Sequence, residues 1–377
     1  MTAAAITGIG CVTGYGIGAS ALWSGLLSGA SAIRQRGTRA TACAPSHAEL
    51  LEHAGRPASG PPPLRTSLLA RLAALEAWQA SGASGAAEPW RCGVMMNRNF
   101  GQHEVVHDYY TTLWKRGPSA VSGLAFVNTI ANTVLGEVAL ALQLRGPSVL
   151  VFGSSLLGTA LDVLRAEAAD VMLVGAVDEV SDFVADLCDA NGLTLEARGV
   201  AADPRVHHSP ATGFRLGDGA AFVVLERLEH ALARGAPIVA RLRGCGSSFS
   251  VDAACPFRRT VDDVSAAVTS AIADAGVEPA MLGVAALAAS GLEDYDDVEA
   301  LALETVGARP AAAAIKTAVG ETFSVAPVLA TIACALMLRH RLVVPTPAPR
   351  PTEASLGIAL SMEPSGANDC VVVERHG

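Results

Sequence analysis

The chain has 377 residues, 51% of them hydrophobic and 17% charged, a ratio that supports a large buried core and excludes wholesale disorder. Lysine and arginine number 27 against 36 aspartates and glutamates, a net charge of −9 with no long basic run, which excludes a nucleic-acid binder of the usual electrostatic kind. The eight cysteines stand singly, without any Cys-x-x-Cys; no zinc module, other metal or cofactor is expected, and they read as small buried hydrophobes of a reducing, cytoplasmic compartment.

In chain order, Ala4–Gly8 is a strand candidate, followed by a glycine-rich turn and a helix over Ala21–Leu27. The stretch from Ala44 to Pro63, rich in Pro, Gly, Ser and His, reads as a surface excursion. Leu64–Trp78 is expected to be an amphipathic helix and Cys92–Met96 a strand. Phe126–Leu144 reads as one long helical segment stopped by Arg145-Gly146-Pro147. Then come strand Val149–Phe152, helix Leu156–Ala168, and strands Val171–Val174 and Ala220–Leu225. The second half repeats the alternation. Its strands are Ile238–Leu242, Val284–Ala288, Ala311–Ile315 and Cys370–Glu374; its helices are Thr260–Ala275, Asp296–Val306 and Pro327–Arg339. Alternating helices and near-continuous apolar strands predict an α/β protein with sheets covered on both faces. The lack of a flexible linker predicts two fused halves, residues 1–236 and 237–377. Residues 1–33 and Thr322–Leu338 carry no charge, yet neither is expected to span a membrane. The first is rich in glycine and lacks a basic leader; the second contains Pro327 and reads as a helix buried all round.

Two turns invite chemical readings. Gly8-Ile9-Gly10 follows a strand, as in a dinucleotide-binding loop, but position 13 is Thr where a third glycine is required. The run Val149-Leu150-Val151-Phe152-Gly153-Ser154-Ser155-Leu156-Leu157-Gly158 has the strand–turn–helix pattern of a nucleophile elbow. It sets Ser155 at a helix N-terminus, where amide donors and the dipole favour an anion. Leu157 replaces the last glycine of the hydrolase pattern. A small residue demanded by tight packing is the plainer explanation.

Several further segments carry a resemblance. Thr7-Gly8-Ile9-Gly10-Cys11-Val12-Thr13, with Gly16, Gly18 and Leu22-Trp23, is similar to the N-terminal signature of β-ketoacyl synthases. So are Leu144-Arg145-Gly146-Pro147 before the elbow and Ala169-Asp170-Val171-Met172-Leu173-Val174-Gly175-Ala176 after it. Gly213-Phe214-Arg215-Leu216-Gly217-Asp218-Gly219-Ala220 resembles the family's glycine motif, with Asp where Glu is usual, and the run from Leu225 to Ala236 follows in place. The resemblance runs in order along nearly the whole chain. It implies the thiolase fold, two similar halves in a five-layer αβαβα arrangement, normally dimeric.

The chemistry of the family does not carry over with the scaffold. The resemblance puts Ser155 where condensing enzymes have a nucleophilic Cys, ahead of a shortened helix. Ser290 stands where the first catalytic His is expected and Glu321 where the second is, while Lys316 is retained. The glycine-rich loop near the C-terminus is reduced to Ser365-Gly366-Ala367-Asn368-Asp369. None of the nine histidines, at 47, 53, 103, 107, 207, 208, 230, 340 and 376, matches a catalytic position. A serine needs a base where a cysteine needs only a lowered pKa. Losing one oxyanion donor typically costs about 10²–10³ in rate, and an ionised Glu321 would repel an enolate. No catalytic residue for condensation is therefore expected.

Within the family such chains resemble chain-length factors: silent partners that dimerise with an active ketosynthase in type II polyketide systems and wall the acyl tunnel. Acyl carrier protein is then held mainly by the partner. The run Phe126-Val127-Asn128-Thr129-Ile130-Ala131-Asn132 looks closest to polyene or aryl-polyene subunits, whereas aromatic-polyketide factors usually carry Gln at the nucleophile position. The resemblance assigns an interface to Phe126, Thr129, Asn132, Val149, Val151 and Phe152, although composition alone favours ordinary core for these segments. Two other readings stay open. One is a serine acyltransferase or hydrolase using Ser155 with Glu321 or Lys316 as base; the other is a homologue that binds a small hydrophobic molecule. His207-His208 reads as an exposed loop pair, Asp294, Asp296 and Asp297 as a solvated helix start, and Arg339, His340 and Arg341 as a helix C-terminus.

Overall fold

A computed structural model describes residues 3–36, 39–55, 63–153, 155–195, 213–251, 258–344, 348–363 and 365–377. His207-His208, Ser154 and Cys255 lie outside the described residues, as does the side chain of Asp294.

Ten strands carry the fold. In the first half they are β1 (Ala4–Thr13), β2 (Cys92–Asn97), β3 (Ser148–Val151), β4 (Val171–Asp178) and β5 (Gly219–Arg227). In the second they are β6 (Ala240–Phe249), β7 (Leu282–Leu287), β8 (Ala311–Ala314), β9 (Leu356–Met362) and β10 (Ala367–Arg375). The first half has the order β3-β2-β4-β5-β1 and the second β8-β7-β9-β10-β6. Parallel and antiparallel pairs fall in the same places in both. One half is thus a topological copy of the other. They join where β1 pairs antiparallel with β6, Ala4 opposite Leu242 and Ile6 opposite Ala240.

Strand periodicity explains the layers, because alternate residues face opposite sides of a sheet. Along β4, Met172, Val174 and Ala176 face the centre of the molecule, and Val171, Leu173 and Val177 face outward. The helices that take up these faces include α1 (Arg65–Ser81), α2 (Leu156–Arg165), α3 (Val261–Ala275), α4 (Glu293–Val306) and α5 (Ala326–His340). The outward set packs on α1 and on the helix Thr133–Leu142. The inner faces of both halves pack on α2 and α5, and the outer face of the second half packs on α3 and α4. This is the expected five-layer thiolase arrangement. The segment Phe323–His340 is long and apolar enough to cross a membrane, but 89% of it is buried inside the protein. It is the central helix between the halves, as its all-round apolar pattern predicts.

The Gly8-Ile9-Gly10 motif has a packing explanation. A Cβ on Gly8 would lie 2.0 Å from the Ala77 carbonyl oxygen, and one on Gly10 2.2 Å from that of Ala73. Both glycines therefore let α1 lie directly against β1. Gly10→Ala is expected to destabilise the fold by about 1–3 kcal/mol or more through overpacking, read as an earlier denaturant midpoint; an unchanged midpoint would contradict this close approach.

Several elements differ from expectation. Phe126–Leu144 is not one helix: a short helix at Gly123–Val127 ends, and a new one starts at Thr133 after Asn132. The Thr133 hydroxyl donates to the Val127 carbonyl (2.6 Å), and Thr129 to that of Phe126 (2.7 Å), so polar side chains take over backbone groups at the break. The excursion after Ala44 contains a helix, His47–Ala54, started by a Ser46/Glu49 capping box. Helices His103–Arg116 and Asp182–Ala190 and strand β9 are additional to the predicted set.

Candidate site at the junction of the two halves

Ligand sites of open α/β sheets lie beyond the carboxyl ends of the strands, and here the ends of β2, β4, β7, β8 and β9 bring chemistry together. Lys316 and Glu321, at the end of β8, are 6% and 4% exposed, with Nζ 2.7 Å from Oε2. The other Glu321 oxygen accepts the Phe323 amide at 2.9 Å. The Glu321 backbone is tied to the glycine motif, its amide donating to Arg215 O (2.7 Å) and its carbonyl accepting from Gly217 (2.9 Å). Both carboxylate oxygens of Glu321 are thus engaged, one of them by Lys316.

Ser290, just past β7, is buried, and its hydroxyl has no hydrogen-bond partner among the described residues. Carboxylates from α4 clamp its loop. Asp296 accepts the amides of Ser290 and Gly291, both at 2.9 Å, and Glu299 those of Ala288 (2.6 Å) and Ala289 (3.0 Å). Asp296 is therefore not part of a solvated helix start, whereas Asp297 is exposed. The i, i+3 spacing of Asp296 and Glu299 was the signal for one inward-facing carboxylate pair.

Glu363, at the end of β9, is buried and accepts the side-chain amides of Asn97 (3.2 Å) and Asn99 (3.0 Å) from the first half. Burial pushes its carboxyl up to about 7, with Lys316 pulling the other way. Asp178, at the end of β4, accepts the amides of Asn99 (3.0 Å), Phe100 (2.5 Å) and Ser324 (2.9 Å) and the Ser324 hydroxyl (2.6 Å). These two acids stitch the halves together. Motif reasoning missed both, since neither belongs to a recognisable sequence pattern.

Ser155 is half-buried at the N-cap of α2, but its hydroxyl does not cap the helix. It lines a small cavity with Asp369, whose carboxyl burial, helped by the charge of Glu363, pushes up to about 8. The structure thus gathers Ser290, Lys316 and Glu321 around common buried charges, while Ser155 shares a separate small cavity with Asp369. Neither Glu321 nor Lys316 is shown bonded to Ser155; each holds the other. Among the described residues, the Cys188 and Cys245 thiols are held protonated. Burial, then the charge of Glu321, pushes Cys188 up to about 12, and burial raises Cys245 further, so both stay protonated.

The residues assigned to an interface lie on one side of the first half. β3 is an edge strand, with Val149 and Phe152 38% and 59% exposed. Phe126 and Asn132 are exposed, and Thr129 and Val151 half-buried. Leu124, Val127, Ile130 and Leu140 add apolar surface on the same segment.

Residues 62–231 match the family described as "Beta-ketoacyl synthase, N-terminal domain" and residues 239–348 the "Beta-ketoacyl synthase, C-terminal domain". Nodulation protein E of Rhizobium sp. (strain N33) is 31% identical over 359 residues, covering 90% of this chain and 87% of that protein. Among solved structures, the ishigamide ketosynthase/chain length factor superposes with a TM-score of 0.85 at 23% identity, covering 100% of both chains. A type II PKS acyl-carrier protein in complex with its ketosynthase (AntDE:AntF) gives 0.82 at 18% identity, again over 100% of both. At those identities the superpositions speak for the fold alone. The duplicated α/β halves, the packed Gly8-Ile9-Gly10 strand and the two matched domains make this chain a member of the β-ketoacyl synthase family.

Proposed function

We propose that this chain is a catalytically silent, chain-length-factor-like subunit of a type II polyketide synthase. It pairs with an active ketosynthase, forms part of the wall of the acyl tunnel, and meets acyl carrier protein mainly through that partner. The observation that carries this reading is the buried Lys316–Glu321 ion pair. It fills the position where the family resemblance expects an imidazole, and it presents a carboxylate where condensation develops negative charge. Ser290 adds a hydroxyl where a second imidazole would donate, and burial keeps the Cys188 and Cys245 thiols protonated at neutral pH. The exposed apolar edge at β3 supports a protein partner on that face, because obligate interfaces are large and hydrophobic. The partner reading also accords with the printed titles of the ketosynthase/chain length factor and carrier-protein complexes.

The test is co-expression with a candidate ketosynthase. The chain alone is expected to aggregate or self-associate and to extend no acyl group from malonyl-carrier substrate, while the co-expressed pair purifies together and condenses. A stable monomer without affinity for any ketosynthase, or a lone chain that condenses, would end the proposal. Val149→Asp combined with Phe152→Asp is expected to weaken pairing at least about 30-fold, because an unpaired charge would be buried at the contact. Sedimentation of the complex reads this; undiminished pairing would move the interface elsewhere.

A further inference from the structure

We propose that Arg98 and Gln102, at the N-terminus of the helix His103–Arg116, bind one small monocarboxylate. This site goes beyond the subunit reading and does not depend on it.

Two buried side chains carry the inference. Arg98, just past the end of β2, is 7% exposed, its Nη1 is enclosed, and its guanidinium makes no ion pair or hydrogen bond among the described residues. Gln102 is 5% exposed, and both polar atoms of its carboxamide are enclosed without a partner among those residues. It is the N-cap residue of a 14-residue helix, at φ 60°, yet its side chain makes no capping hydrogen bond. Gly101 brings the two together. A Cβ placed there would lie 3.4 Å from Arg98 Cδ and 3.8 Å from its Cγ, so the arginine stem runs along the turn that leads into the helix. The first amides of a helix have no acceptor within it; here the Val106 amide is the first to find one, the Gln102 carbonyl at 2.9 Å.

The acids around this corner are already committed. Asp178, whose charge acts on Arg98, spends one oxygen on the amides of Asn99 and Phe100 and the other on Ser324. Burial also pushes it up to about 8. Glu179 is held by Arg65 (3.2 Å) and by the Thr66 hydroxyl (2.6 Å), while Glu104 in the first turn is exposed. A buried guanidinium without a counter-charge is strongly destabilising, and a bound anion removes that penalty.

The chemistry of the corner selects the anion. A guanidinium presents paired N–H donors that match the two oxygens of a planar carboxylate. The Gln102 carboxamide adds a further donor, and the helix N-terminus favours negative charge. Only one charge has to be met. His103 adds no second positive charge, because its Nδ1 accepts the Gly101 amide (3.3 Å), and burial and the charge of Arg98 both lower its pKa. Phosphate or sulfate would leave negative charge uncompensated in a buried place. A ligand of about acetate size suits side chains so nearly closed to solvent. Bound there, it ties the helix to the loop Asn97–Phe100, which Asp178 and Glu363 fasten to the second half.

The test titrates carbonyl-labelled acetate into the full chain, alone or in its complex, in a bulky sulfonate buffer of fixed ionic strength. Carbon-13 NMR reads binding, and thermal unfolding reads stability. One saturable acetate per chain is expected, displaced by formate but not by equal chloride, sulfate or phosphate, with an unfolding midpoint that rises over the same range. Arg98→Met is expected to weaken binding at least ~100-fold, and Gln102→Ala about 5-fold. Without acetate, Arg98→Met should unfold no earlier than the unaltered chain, since it removes an uncompensated charge. No saturable binding, equal competition by chloride, sulfate or phosphate, or undiminished binding by Arg98→Met overturns the proposal. So does a loss of stability in Arg98→Met without acetate, which would mean that the guanidinium has a partner within the protein. If Arg98→Met fails to fold, that loss is itself the overturning result. Failure to pair with a ketosynthase would count against the subunit reading and leave this one standing.

Discussion

Replacing Lys316 by methionine is expected to cost about 3–5 kcal/mol of stability, because it leaves the Glu321 carboxylate buried without its counter-charge. Glu321→Met should cost a similar amount by stranding the ammonium. The double variant Lys316→Met/Glu321→Met should recover most of the loss, since desolvating a buried pair roughly cancels its attraction and apolar replacements of like volume are tolerated. The ordinary value of a surface ion pair is about 0–1 kcal/mol, but both partners here are buried to more than nine-tenths and sit 2.7 Å apart. Denaturant unfolding of the two single variants and the double one measures the coupling directly. Single losses below about 1 kcal/mol would mean that water reaches the pair. Glu321 would then be available for other work, and the argument that it is committed to Lys316 would fall.

Stability is expected to fall by several kcal/mol as pH rises from about 5 to about 8. Burial raises Glu299 and Asp369 to about 8 and Glu363 to about 7. Between the ordinary carboxylate pKa near 4 and these values, the folded protein holds protons that the unfolded chain has released. The stabilisation is therefore complete below the unfolded pKa and is lost as pH rises through the folded one, levelling above about 8. Asp170 and Glu226 act with the opposite sign. Arg91 holds the first below its usual range, and Arg234 and Thr7 hold the second there against the opposing effect of burial, so their contribution disappears only as pH drops below about 4. The two trends place the maximum near pH 5. Thermal unfolding across pH 4 to 9 reads the curve; a midpoint that climbs from pH 5 to 8 would mean these acids are ionised in the folded state.

The amino-acid sequence by itself determined the architecture. Apolar strands such as Val171–Val174 and the uncharged helix after Pro327 can only be buried on all sides, and that demands sheets covered on both faces with a helix between them. Ser155, Ser290 and Glu321 are expected as departures because the resemblance places them where the family's motifs have other residues. The break between Phe126 and Leu144 was hidden because its residues are as apolar as a helix face, and only the side-chain hydrogen bonds of Thr129 and Thr133 show where the chain turns. What the tertiary structure alone decided is partnership. Glu321 pairs with Lys316, Asp296 turns inward to hold Ser290, and Glu363 finds Asn97, more than 200 residues away along the chain. Such pairs depend on where strand ends converge in space, and burial, which sets the protonation of each acid, is a property of the folded core rather than of any local run of residues.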